Sequence, residues 1–142
     1  MKKFRVIEHT ADIGIEAFGR DLNELFANAA YGMFSILCDI ERVRAEKTFQ
    51  VKVSSQTPEE LLRSWLDELL YEENTREILF CKFEVKISDR YSLSGRAFGE
   101  KINLERHRLK TEIKAVTYHQ LEVQKCKING KSGYKARIIF DV

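Results

Sequence analysis

The chain has 142 residues, the size of one ordinary domain, and 44% of them are hydrophobic, enough to fill a core. One Pro and seven Gly leave no linker-like or disordered stretch. Lys plus Arg number 24 against 22 Asp plus Glu, so no global field favours nucleic acid or an anionic membrane, and no apolar run is long enough to span a bilayer.

Residues 3–8 and 13–19 read as two short strands, the second with Ile13, Ile15 and Ala17 on one face. Between them lies His9-Thr10-Ala11-Asp12, a turn that carries an imidazole, a hydroxyl and a carboxylate. A helix follows, capped by Asp21 with Glu24 three residues on, and Leu22, Leu25, Phe26, Ala29, Ala30, Met33, Phe34 and Leu37 form its apolar stripe. A strand is expected near 46–54, with Phe49, Val51 and Val53 on one side. Thr57-Pro58-Glu59-Glu60 is a second helix start: a Thr cap, Pro at the first position and acids in the first turn. Its stripe is Leu61, Leu62, Trp65, Leu66, Leu69 and Leu70, with Arg63, Asp67, Glu68 and Glu72 on the wet side.

From Ile78 the period switches to two. Phe83, Val85 and Ile87 alternate with charged residues, and Tyr91–Phe98 reads as a hairpin partner. Residues 99–109 read as a loop with a short strand at most. Lys114–Lys127 reads as one strand, with Ala115, Thr117, His119, Leu121 and Val123 sharing a face. That pattern makes His119 a sheet histidine and not a ligand. Asn129-Gly130 is a hairpin turn, and Gly133–Asp141 is the last strand, with Tyr134, Ala136, Ile138 and Phe140 on one side. The fold class is α+β: a single domain over residues 1–142, mostly antiparallel β-sheet, with two amphipathic α-helices packed on one sheet face.

Cys38, Cys81 and Cys126 are isolated and without ligand spacing, so they read as buried or half-buried thiols of a reducing compartment. The N-terminus lacks the apolar stretch of a signal peptide, which makes the cytoplasm the expected location. No nucleophile elbow, phosphate loop or zincin spacing is present, which weighs against an autonomous enzyme.

Three places could carry chemistry. The turn at Asp12 could bind a ligand, or Asp12 could simply bond nearby backbone N–H groups. At the other end, Asp141 stands beside Val142 and its terminal carboxylate. Were Asp12 brought to the same point, the cluster would repel itself unless a cation bridged it, and hard cations such as calcium accept all-oxygen ligation. A frayed, solvated chain end is the plainer alternative. The third place is Lys114-Ala115-Val116-Thr117-Tyr118-His119, preceded by the basic residues Lys101, Arg106, His107, Arg108 and Lys110. That segment could meet phosphate, or could be a solvated edge.

Taken together, His9-Thr10-Ala11-Asp12-Ile13-Gly14-Ile15, Gly99-Glu100-Lys101, Lys114-Ala115-Val116-Thr117-Tyr118-His119 and Phe140-Asp141-Val142 resemble the archease family, collinearly and over essentially the whole chain. The resemblance implies a small accessory protein, not an enzyme. It would activate RtcB, the RNA ligase of tRNA splicing, by promoting its guanylylation and repeated turnover and by widening its choice of nucleotide. It further implies a calcium or other divalent cation held by Asp12, Asp141 and a main-chain oxygen of Val142. Lys114 and His9 are suspected in activation or partner contact, and tRNA is met only indirectly, through the ligase. Two rivals remain: an RNA-binding or chaperone-like module using the basic 101–114 segment, and a metal-dependent hydrolase at Asp12 and Asp141.

Overall fold

The computed structural model describes residues 2–8 and 12–142. Strand β1 (Phe4–Glu8) pairs antiparallel with β2 (Ile13–Gly19), Phe4 against Ala17 and Glu8 against Ile13. Residues His9–Ala11, between them, lie outside the described residues. Helix α1 (Leu22–Leu37) starts where its cap predicts, with the Asp21 carboxylate accepting the Glu24 N–H at 2.8 Å. The return bond of the expected capping box goes one residue further back. Glu24 accepts the Arg20 N–H at 3.0 Å, because the Arg20 guanidinium also clamps that carboxylate, at 2.8 Å.

The remaining elements are β3 (Lys47–Ser54), α2 (Pro58–Arg76), β4 (Ile78–Ile87), β5 (Ser92–Lys101), β6 (Ala115–Val116), β7 (Glu122–Ile128) and β8 (Lys131–Asp141). The strands divide between two antiparallel sheets, not the one expected. The first has the order β1-β2-β8-β6, with β7 also paired to β8; the second is β3-β5-β4. Helix α1 touches both. Its Gly32 lies against Ile15 and Phe4 of the first sheet, so close that a Cβ would stand 2.8 Å from Ile15 Cδ1. Its Phe34 packs edge-on against Phe80 of the second sheet, with ring centroids 5.4 Å apart. Ten of its sixteen residues are therefore buried, more than a helix lying on one sheet would hide.

Helix α2 is capped by Thr57, whose hydroxyl accepts the Glu60 N–H at 3.1 Å, and it buries all six residues of the predicted stripe. Trp65 donates its indole N–H to the Phe26 carbonyl at 3.0 Å, which ties the two helices together. Its ring covers Gly95, where a Cβ would come within 2.6 Å of it. Trp65 is thus the packing anchor its place in the stripe implies.

Strand β5 runs to Lys101, past the expected end at Phe98, and its Gly99 opposes Phe80 where β4 bulges between Phe80 and Lys82. The expected strand over Lys114–Lys127 is broken. Beyond β6, Thr117 accepts the His119 N–H at 3.2 Å, the Leu121 N–H bonds the Tyr118 carbonyl, and Gln120 takes a φ of 53°. This turn puts His119 in solvent, not on an apolar face. The Asn129-Gly130 turn has φ of 52° and 81°, the left-handed pair that a two-residue hairpin requires.

Strand β8 is the hub of the first sheet. It pairs with β2 along one side, and with β7 and then β6 along the other. Ala136, Ile138 and Phe140 are buried in the core with Tyr134 packed against them, so alternate residues, Lys135, Arg137 and Asp141 among them, point to the opposite face.

Candidate metal centre

The register of β8 decides what its end brings together. Ile13 pairs with Phe140, the last pair of the β2–β8 ladder on that side. One step outward, Asp12 continues β2 and Asp141 continues β8, so two acids flank each other at the sheet end. On the other side of β8, Ala115 pairs with Asp141 and the Lys114 N–H donates to the Asp141 carbonyl at 2.7 Å. Asp12 just precedes β2, Asp141 ends β8 and Lys114 just precedes β6, three neighbouring strands. Asp141 and Lys114 are exposed and Asp12 is half-buried. Val142 follows, 36% exposed. His9, the remaining suspected contact, is not among the described residues.

One atom in this group is unusual. Asp12 Oδ1 is shielded from solvent and accepts no hydrogen bond from the described residues. A buried acceptor left unpaired costs roughly 1–3 kcal/mol and calls for a partner. Among the described residues, the other metal donors at this end are oxygens: the Asp141 carboxylate and main-chain carbonyls. Oxygen donors without nitrogen or sulfur suit a hard cation such as calcium. Among the described residues no three His, Cys, Asp or Glu side chains gather around one point, so any ion here would take part of its shell from main-chain oxygen.

Arg63 supports this end from α2, although its place in the sequence puts it on the wet side of the helix. Its Nε–H donates to the Val116 carbonyl at 3.1 Å, Nη1 donates to the Tyr118 hydroxyl at 3.1 Å, and its guanidinium carbon stands 4.0 Å over the Tyr118 ring. Arg63 thus fixes the short strand next to Lys114. Nothing in the local pattern marks it for that task, because its partners lie more than fifty residues away.

Part of the basic stretch upstream is occupied. Arg106 donates to Glu100, His107 Nε2 donates to Glu100 at 2.8 Å, and the Arg44 N–H completes the set at 2.7 Å. The Asn103 N–H donates to His107 Nδ1 at 2.9 Å, which leaves the ring proton on Nε2. Lys110 caps the end of α1, with Nζ donating to the Ser35 carbonyl at 2.8 Å. Arg106, His107 and Lys110 thus pin residues 102–110 against the body, while Lys101, Arg108 and Lys114 stay exposed.

The Glu100 carboxyl feels opposing effects. Burial pushes it up, but the bonds from Arg106, His107 and the Arg44 N–H outweigh burial and hold it at about 2, against an ordinary 4.5. A carboxyl lowered in the fold is protonated first in the unfolded chain. Its contribution is therefore whole above pH 4.5 and lost as pH falls towards 2. Chemical denaturation across that window should show wild type losing stability faster than Glu100→Gln, so that the two converge in acid. Parallel curves would assign the acid sensitivity to other carboxylates.

Cys38 is buried and Cys81 and Cys126 half-buried, all as free thiols. Burial pushes the Cys38 thiol up to about 12, which makes it inert. No helix among the described residues is long and apolar enough to cross a membrane.

The architecture defines a class: a small α+β domain of two antiparallel sheets around two helices, with paired acids at one sheet end. The sequence profile of the Archease protein family (MTH1598/TM1083) matches residues 4–142. The protein archease of Methanosarcina mazei is 42% identical over 145 residues, covering 99% of this chain and 97% of its own. That of Methanothermobacter thermautotrophicus is 41% identical over 145 residues, covering 100% of both. The solution structure of Methanobacterium thermoautotrophicum protein 1598 superposes with a TM-score of 0.84 at 42% identity, again over 100% of both chains. The chain belongs to the archease family.

Proposed function

We propose that this chain is an accessory activator of an RtcB-type tRNA-splicing RNA ligase and is not itself an enzyme. It promotes guanylylation of the ligase, allows repeated turnover and widens the nucleotides the ligase accepts. It acts in the cytoplasm and meets tRNA through the ligase. The observation that carries this reading is the shielded Asp12 Oδ1, which no described residue satisfies, just before β2 and beside Asp141. With Asp141 and a main-chain oxygen of Val142 it would hold Ca²⁺ or another divalent cation. Nucleotidyl transfer is governed by neutralising and positioning phosphate charge, and a bound divalent ion supplies positive charge for that. This chain's own part is to present the acidic end to the ligase active site, with Lys114 and His9 at the contact.

The test mixes the chain with its cognate ligase, GTP and divalent metal, and counts ligation turnovers per ligase with and without it. Many turnovers with the chain and about one without it is the expected result. An unchanged turnover number would refute the activator reading, and phosphatase or esterase activity without ligase would favour a hydrolase instead.

A further inference from the structure

We propose that Arg63, on helix α2, is the positioning residue of the acidic end: it holds β6 against the sheet, and through β6 it holds Asp141 in place to ligate a cation. The cation rests on the reading above; the positioning does not, and the two are tested apart.

Strand β6 is the shortest of the first sheet. It has two residues, it lies at the end of the sheet order, and it stands between the loop over 102–114 and the turn after Thr117. Yet the place of Asp141 depends on it. On the β2 side the ladder stops at the pair Ile13–Phe140. Among the described residues, the pairing that reaches Asp141 comes from the β6 side, where Ala115 lies opposite it and the Lys114 N–H donates to its carbonyl at 2.7 Å.

Two kinds of contact hold β6. Ile113 and Val116 are buried, which fixes the depth of the segment. Burial is non-directional, however, and does not set the backbone at the edge of the sheet. Arg63 does. Bonded and non-bonded pairs alternate along an antiparallel ladder. The Thr117 N–H donates to the Ile139 carbonyl at 3.0 Å, so Val116 is a non-bonded residue and its carbonyl turns away from β8. There the Arg63 Nε–H meets it at 3.1 Å. The same guanidinium lies 4.0 Å under the Tyr118 ring and donates from Nη1 to its hydroxyl at 3.1 Å. Tyr118 is 64% exposed, so its ring is held by Arg63 and not by the core. Asp67, one turn along α2, stands 3.4 Å from Nη1 and orients the group.

One planar group thus grips the chain at Val116 and Tyr118, on either side of Thr117, from a helix that is itself capped and packed. A lysine cannot reproduce this, because its ammonium is a single point with no flat face to stack. Arg63 therefore stands behind Asp141 as a support stands behind a metal ligand, although it touches neither Asp141 nor the ion.

Amide hydrogen exchange by NMR, without metal, tests the positioning directly. Arg63→Met keeps the apolar stem but no donor, and Arg63→Lys keeps the charge but not the fork. In both, the Lys114 and Thr117 N–H groups should exchange about tenfold faster relative to the β3–β5 ladder, the factor for one lost hydrogen bond from a charged group. Isothermal titration calorimetry with calcium tests the consequence. Both variants should bind calcium about tenfold more weakly with unchanged stoichiometry, because the ligands remain and only their support is lost. Ligase turnover should show the same split, with more calcium needed for half-maximal stimulation and wild-type turnover at saturation. Tyr118→Phe, which keeps the Val116 bond and the stacked ring, should move each readout less. Faster exchange in the Arg63 variants, with no calcium binding even by wild type, would support the positioning and refute the metal reading. Exchange that quickens equally in every strand, or an unchanged calcium affinity beside a wild type that binds, would make Arg63 a stabilising residue only and overturn the proposal. A Tyr118→Phe effect as large as that of Arg63→Met would overturn it too.

Discussion

Asp12→Ala and Asp141→Ala are each expected to return ligase turnover to the level of the ligase alone, while the chain still folds. Both residues lie beyond the last β2–β8 pair, so neither substitution removes a core contact or a ladder bond. Asp12→Ala also removes a shielded acceptor that has no donor among the described residues, which relieves a cost instead of adding one. Without divalent metal the Asp12 variant should melt no lower than wild type. With Ca²⁺ at about a hundred times its dissociation constant, wild type should gain about 2.7 kcal/mol and neither variant should follow. A calcium-dependent rise in melting temperature is thus a readout independent of the ligase. Stimulation at wild-type level by both variants would remove the acidic end from the function.

Gly99→Ala is expected to destabilise the domain by about 3 kcal/mol or more, in the upper range for overpacked sites. A Cβ at this position would stand 1.9 Å from the Leu79 carbonyl oxygen and 2.8 Å from Phe80 Cα, both backbone atoms that no rotamer change can move. Relief requires β4 and β5 to separate at the bulge between Phe80 and Lys82. That movement would also shift Glu100, the next residue, away from Arg106, His107 and the Arg44 N–H. Heat denaturation should therefore show a drop of roughly 10 °C, with an altered acid limb as well. A variant melting within a degree or two of wild type would mean that the two strands part there at little cost.

Local chemistry made the elements legible. Asp21, Thr57-Pro58 and Asn129-Gly130 mark their caps and turn by short-range bonds, and the stripes through Leu25 and Trp65 mark what is buried. What escaped depends on residues far apart in sequence. The second sheet is invisible from the α1 stripe, because an apolar helix reads alike whether one or two sheets cover it. The alternation at 115–123 continues through a turn, since Thr117 and the left-handed Gln120 redirect the backbone without disturbing the pattern of residue types. Arg106 and Lys110 of the basic segment read as free charge until Glu100 and the Ser35 carbonyl are found against them. At the candidate site, the acids are named by their motifs, but only the β2–β8 register makes them neighbours.

That register has a consequence for how the chain can vary. Strand β8 spans eleven residues, and it sets lysines near one end and an acid at the other. Its side chains alternate between the two faces of the sheet, so dropping or inserting one residue within it would swap the two populations wholesale. The strand behaves as a measuring rod whose graduations must stay in phase. Among relatives, length changes should therefore collect in the connections flanking β8, while the strand itself admits replacements but not shifts of frame.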